Sequence, residues 1–254
     1  MTEIVLFFVG ILVGMMNAIA GGGMLVGFPI LLVAGLSPLV ATATTPLIVL
    51  PGQVTAARGY RKYLHKIPHY YLLLLIPCII GAAIGATLLR RVPSNDFDEL
   101  VPFLIFFAVV LFAIQPFMHF HLRRHMSRKQ RNMQTLLYLG FGILPVSIYA
   151  GFFGPGFGFI MLAFLSFSNL HDIHKMNALK NVAGAVIAIT SVACLAGAGI
   201  IDWRLGVAMG LGTAIGGYAG SRVSQRFSTH AIRIGVIVIG LSSAAYLALH
   251  AHNL

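Results

Sequence analysis

The chain has 254 residues, 58% of them hydrophobic and 9% charged, with a mean hydropathy of +0.91, whereas a water-soluble domain carries about 25% charged residues. That composition excludes an ordinary soluble globule, and a formal charge of +11 would point to a nucleic-acid partner only if the basic residues failed the positive-inside pattern of membrane proteins. Cys78 and Cys194 lie far apart within apolar stretches, which argues against a disulfide framework or zinc site and for small buried thiols.

Crossing a hydrocarbon core of ~30 Å takes about 20 helical residues. Apolar runs separated by polar clusters predict segments at about 4–20, 24–36, 39–58, 70–91, 99–120, 134–150, 156–168, 175–198, 204–221 and 231–249. The opening MTEIVLFFVG lacks a basic n-region and an A-x-A cleavage site, so it reads as a retained helix. Segments 24–36 and 156–168 have 13 residues each, about 20 Å as a helix. They are expected to be halves of re-entrant hairpins that break at glycines; ten tilted spans are the alternative.

Four clusters, at 58–66, at 121–131, around Lys175 and Lys180, and from Arg222 to Arg233, hold 14 of the 17 Lys and Arg residues; the others are Arg90, Arg91 and Arg204. Alternating the segments places all four clusters on one side, which the positive-inside rule makes cytoplasmic. Five of the six acids, Glu3, Asp96, Asp98, Glu99 and Asp202, fall on the other side. The expected location is a cell (inner) membrane, with both termini outside the cytoplasm. The lipid bilayer then accounts for the charge without nucleic acid.

Residues 80–93, IGAAIGATLLRRVP, align without gaps to 215–228, IGGYAGSRVSQRFS. At nearly the same offset, Gly21, Gly22 and Gly23 meet Gly154, Pro155 and Gly156. The chain therefore reads as two repeats, 1–120 and 134–254, joined by a basic linker at 121–133. Five segments per copy, an odd number, invert one copy relative to the other. The expected fold is an all-α polytopic membrane protein of about 8–10 segments. Each half would hold a broken or re-entrant helix pair plus three transmembrane helices. In such inverted repeats a substrate binds where the copies meet.

A helix break exposes up to four unpaired N–H groups at the positive end of a helix dipole, a ready anion site. Gly21, Gly22, Gly23, Gly154 and Gly156 are the candidates; the competing reading is close helix crossing, as expected of the G-x-x-x-G at Gly81 and Gly85. Asn17, Thr42, Thr44, Thr45, Asn177 and Asn181 offer neutral donors near the breaks, unless the threonines bond back to their own helix. Lys180 is an intramembrane charge, either functional or snorkelling to the surface. Arg58 is a weaker entrance candidate. No acid falls near the middle of a segment, so the carboxylate relay of a proton-coupled pump is missing.

These motifs resemble the TauE/SafE family of sulfite and organosulfur anion exporters. The resemblance lies in NAIAGGGMLVGFPILLVAGLSP and ATATTPLIVLPGQVTAARGYRK in the first copy, and in GFFGPGFGFIML, HKMNALKNV, DWRLG and GGYAGSRV in the second. It implies a secondary transporter moving sulfite, a sulfonate or another sulfur-containing organic anion outward. It carries the glycine-rich breaks to Gly21, Gly22, Gly23, Gly154 and Gly156, and the Asn-Ala-Leu-Lys-Asn stretch to Asn177, Lys180 and Asn181. Pro155 departs from a richer glycine run and puts strict twofold symmetry of the site in doubt. A metal-cation transporter is the main alternative. A membrane-embedded enzyme is the lesser one, because neither H-E-x-x-H nor G-x-S-x-G occurs. His119, His121 and His125, interleaved with arginines, read as a solvated loop rather than a metal site. No cofactor and no metal are called for.

Overall fold

A computed structural model describes residues 2–225 except 95, 98, 105, 108, 109, 111–132, 167, 169 and 171. The expected segment at 231–249, the histidines at 119, 121 and 125, and nearly all of the basic linker lie outside the described residues. All regular structure among the described residues is helical. The order is α1 (Thr2–Ile19), α2 (Met24–Val33), α3 (Pro38–Gly59), the single turn α4 (Arg61–Leu64), α5 (Leu75–Leu89), α6 (Met133–Phe152), α7 (Phe157–Leu165), α8 (Ile173–Leu195) and α9 (Trp203–Val223).

Local chemistry sets these boundaries. Pro38 opens α3 at a position where its missing N–H costs nothing. Asp172 caps α8 by accepting from the His174 amide at 2.8 Å, and Asp202 caps α9 by accepting from that of Leu205 at 2.9 Å. Pro77 cannot donate to the carbonyl four residues before it, and the turn ahead of it, His69–Leu74, is wound as 3-10 helix.

Thr2–Ile19, Pro38–Gly59, His69–Leu89 and Ile173–Ala198 are long and apolar enough to cross a membrane. By contrast α2 and α7 have ten and nine residues, about 15 and 14 Å of helix, half the depth of the hydrocarbon. They are the short partners of broken pairs, α1 with α2 and α6 with α7.

Close contacts give the direction of each helix. Phe7 meets Gly212, Ile11 meets Gly216 and Met15 meets Gly220, so α1 and α9 run parallel. Gly81 lies against Leu144 and Gly85 against Ile148, so α5 and α6 are parallel too. The pairs Leu47–Gly206, Gly52–Thr213 and Gly59–Ser221 align α3 with α9. Tyr60 faces His174 while Gln53 faces Gly184, so α8 runs against α3. Arg90, at the end of α5, donates to Cys194 O, at the end of α8, at 3.2 Å, so α1, α3 and α9 point one way, and α5, α6 and α8 the other.

At the α1–α9 crossing backbone touches backbone: an added Cβ on Gly14 would lie 2.8 Å from the Gly217 nitrogen and the Thr213 Cα. Neither atom can move without shifting its helix. Gly14→Ala is therefore expected to destabilise the protein by about 1–3 kcal/mol, measured by denaturant unfolding in detergent. Gly197→Ala, with nothing within 4 Å of the new methyl group, should leave stability unchanged.

Candidate functional site

The two breaks meet. Gly21 has φ +97° and Gly154 φ +91°, left-handed values that any side chain would strain, and Gly156 follows at +82°. Gly21 packs so closely on Gly158 that a Cβ on it would lie 2.6 Å from the Gly158 Cα. A side chain on Gly22 would enter the Phe159 ring. Close packing and the break thus occur at the same glycines, and the two readings of them are not exclusive.

Most donors of the breaks are turned inward. Gly23 N–H donates to Asn17 Oδ1 at 2.7 Å. Leu25 and Val26 donate to Gly22 and Gly23, and Phe157 and Phe159 to Gly154 and Gly156, each three residues back. In the second break the Tyr149 hydroxyl donates to Pro155 O at 2.7 Å. The expected pair of open helix ends is therefore largely closed by its own chain.

Beside the breaks lies a cavity of about 30 Å³, room for about two waters. Asn17 and Met24 wall it from the first break, Gly154 and Phe157 from the second, Thr45 and Gln53 from α3, and Gly184 and Ser191 from α8. Gln53 Oε1 and Ser191 Oγ are buried there with no hydrogen-bond partner among the described residues. A buried polar group without a partner costs about 1–3 kcal/mol, so these two require an explanation that packing does not give.

Lys180 turns inward and is fully buried, the one buried charged side chain among the described residues. Its ammonium donates to Asn17 O at 2.6 Å and Asn177 Oδ1 at 3.0 Å, with Ala18 O at 3.5 Å. Backbone carbonyls at the end of α1, the negative end of its dipole, take the place of a carboxylate. Snorkelling is overturned by this geometry, since the side chain reaches α1 and not the surface. Asn181, the next residue, buries both amide atoms without a partner among the described residues.

Towards the C-terminal end of α1, Tyr60 is buried with its hydroxyl against Ser224 Oγ and 3.3 Å from Ala18 O. Burial pushes the Tyr60 phenol up to about 12, so it stays protonated and able to donate through the physiological pH range.

The family model for the sulfite exporter TauE/SafE matches residues 6–247. The chain belongs to the TauE/SafE family. Among its relatives is a probable membrane transporter protein of Haemophilus influenzae, 30% identical over 246 residues, covering 95% of this chain and 92% of the relative. The probable membrane transporter protein YfcA of Escherichia coli K12 is 28% identical over 257 residues, covering 98% and 90%. A probable membrane transporter protein, ORF9, of a Sinorhizobium species is 27% identical over 245 residues, covering 95% and 90%. No solved structure matches the chain.

Of the residues singled out from the sequence, Asn17, Thr45 and Gly154 line the cavity. Asn177 and Lys180 join them through Asn17, and Gly21, Gly22, Gly23 and Gly156 shape the breaks. Thr44 is not brought to the cavity wall. Its hydroxyl donates to Val40 O at 2.7 Å and accepts from the Asp202 amide at 3.0 Å, which ties α3 to the start of α9. Thr45 also bonds back, to Ala41 O at 3.0 Å. Gln53 and Ser191 were missed. Their signal was a polar side chain deep inside an apolar span, away from any glycine break.

Asn17→Leu would leave the Gly23 amide buried without its acceptor. A loss of about 1–3 kcal/mol is expected, read by unfolding in detergent. Stability equal to that of the parent chain would show that the break does not depend on this bond.

Proposed function

We propose that this membrane protein is a secondary transporter that moves a small anion outward, namely sulfite, a sulfonate or another sulfur-containing organic anion. The observation that carries the reading is the cavity walled by both breaks, in which Gln53 Oε1 and Ser191 Oγ are buried with no partner among the described residues. The Ser191 hydroxyl can donate to an oxyanion while neutral, and Gln53 can do so through its Nε2, its unpartnered Oε1 accepting only from a water or a protonated cargo. Lys180, one layer behind Asn17, adds an attractive field without closing an ion pair on the cargo. Such a site holds an anion firmly enough to select it and loosely enough to release it.

The helix directions support an inverted repeat. Going along the chain, α1 and α3 run one way and α5 the other; α6 and α8 run with α5, and α9 returns with α1. Each half also packs its first long helix on the third long helix of the other, α1 on α9 and α6 on α5. The cavity is smaller than a hydrated oxyanion, so cargo enters when the halves rock apart, first to one side and then to the other. With the basic loops cytoplasmic, an inside-negative potential favours outward movement of a monoanion by about 2.3 kcal/mol per 100 mV.

Efflux from proteoliposomes under an imposed potential tests the reading, with sulfite, sulfoacetate, taurine and a divalent cation offered in turn. Sulfite or sulfoacetate should leave faster than from protein-free vesicles, and the rate should rise with the potential. Movement of the divalent cation alone would establish the rival cargo and overturn the proposal.

Gln53→Leu and Ser191→Ala separate function from folding at this site. Neither side-chain oxygen loses a partner, so unfolding temperatures should hold or rise. Anion efflux should fall by about tenfold or more, equivalent to about 1.4 kcal/mol of barrier. Undiminished efflux from both variants would remove the cavity from the transport path.

A further inference from the structure

A second concavity lies where α3 and α9 end. Arg58, Arg61, Lys62 and Arg222 surround a hollow of about 440 Å³, with His65 and Tyr218 completing its wall. All four cations are exposed. None of the four is paired with a carboxylate among the described residues. Arg61 Nε donates to His65 Nε2 at 3.3 Å, and Arg222 donates to the Tyr218 hydroxyl at 3.1 Å and lies over that ring at 5.3 Å. Lys62 sits over the Tyr63 ring at 5.0 Å.

Among the described residues no carboxylate is free at this end. Of its six acids, Glu3 pairs with Arg204 and Asp202 caps α9, both at the opposite end of α1 and α9. Asp96 and Glu99 follow α5, beyond that same far end, and position 98 lies outside the described residues. Asp172 alone shares the basic end, and it is engaged as the cap of α8. Orienting the chain in a membrane requires only that basic residues lie in the loops. It does not require four of them to converge on one hollow with an aromatic wall.

The shape of α9 indicates what the partner brings. Val207, Leu211, Ile215 and Tyr218 are all exposed, at 49%, 58%, 53% and 43%. Spaced by four, four and three residues, they form one stripe along the helix, and the stripe ends at Arg222. A cationic hollow continuous with an apolar stripe fits a molecule with a phosphate at one end and hydrocarbon at the other. Arginine forks match phosphate oxygens two at a time.

We propose that the hollow bounded by Arg58, Arg61, Lys62 and Arg222 is a binding site for an anionic phospholipid. Its phosphate sits among the four cations and its acyl chains lie along the α9 stripe. Basic pockets at helix ends hold lipid headgroups in this way elsewhere.

The test uses the full chain purified in a neutral detergent and titrated with phosphatidylglycerol, phosphatidylcholine or inorganic phosphate. Bound lipid is counted by native mass spectrometry and protection is followed by the unfolding temperature. Phosphatidylglycerol should bind and protect, whereas phosphatidylcholine and inorganic phosphate should do neither at matched concentration. The double variant Arg58→Gln with Arg222→Gln should bind phosphatidylglycerol about thirtyfold more weakly, about fivefold for each basic side chain. Lys66→Gln, a change in the same loop but outside the wall, should bind as the parent does. Both arginines are surface side chains, so the double variant is expected to fold. Equal binding of phosphatidylcholine, equal protection by inorganic phosphate, or full affinity in the double variant would each overturn the proposal; the second would mark a free-anion site instead. The readout is binding, so the result stands whatever solute is transported.

Discussion

Backbone amides cannot be left unpaired in hydrocarbon, where each would cost several kcal/mol. Two helix breaks inside an apolar bundle are tolerable only because each covers the other. Gly21 lies against Gly158 with no room for a methyl group between them, so lipid is excluded from both sets of non-helical peptides at once. The contact joins residues 137 positions apart, and neither half of the chain can bury its own break. The exchange of long helices follows from the same need: α1 lies on α9, and α6 on α5. Glycines on both crossings bring the helices to backbone contact, in keeping with bundles in which packing rather than hydrophobicity drives association.

That constraint explains how a lysine is kept inside. A buried ammonium normally needs a carboxylate, and no acid falls near the middle of any segment of this sequence. Lys180 instead uses the carbonyl of Asn17, left over where α1 ends at the break, with Asn177 as a second acceptor. The helix interruption thus supplies the polar groups that hold the charge. Asn17 joins three functions in one residue. Its amide oxygen holds Gly23, its backbone oxygen holds Lys180, and it walls the cavity. A change in the cavity is therefore felt by the lysine through a single residue.

Much of this was legible in the sequence, and what was not has a physical cause. Span positions were, because apolar run length is a local property: the expected 4–20, 39–58, 70–91 and 175–198 are found as Thr2–Ile19, Pro38–Gly59, His69–Leu89 and Ile173–Ala198. The breaks were too, since three adjacent glycines in an apolar run suit no continuous helix. Side-chain destinations were not. Thr44 and Thr45 are neighbours of one type, yet the helical turn of about 100° between them sends only Thr45 to the cavity wall. Gln53 and Ser191 come together because α3 and α8 run in opposite directions at close range. That register is set by tertiary packing, to which neither stretch refers by itself.

The departure at Pro155 also acquires a meaning. Gly21 and Gly154 match in left-handed backbone, but Gly23 then enters α2 at φ −56° while Gly156 enters α7 at φ +82°. The second break is a proline of fixed φ between two left-handed glycines, braced by the Tyr149 hydroxyl on Pro155 O. The first has no proline, and its Gly23 amide and the Lys180 bond both end on Asn17. The residue placed before the second break as Asn17 is before the first, 133 positions on, is Ala150, which offers no side-chain acceptor. The two breaks are therefore unequal in stiffness, and the softer one is next to the buried cation. On the transport reading, an anion that draws Lys180 towards the cavity weakens a bond on which the first break is anchored. The second break, with its geometry fixed covalently, has no corresponding release. Movement during a transport cycle should then concentrate at residues 17–24, against a second break that serves as the fixed wall.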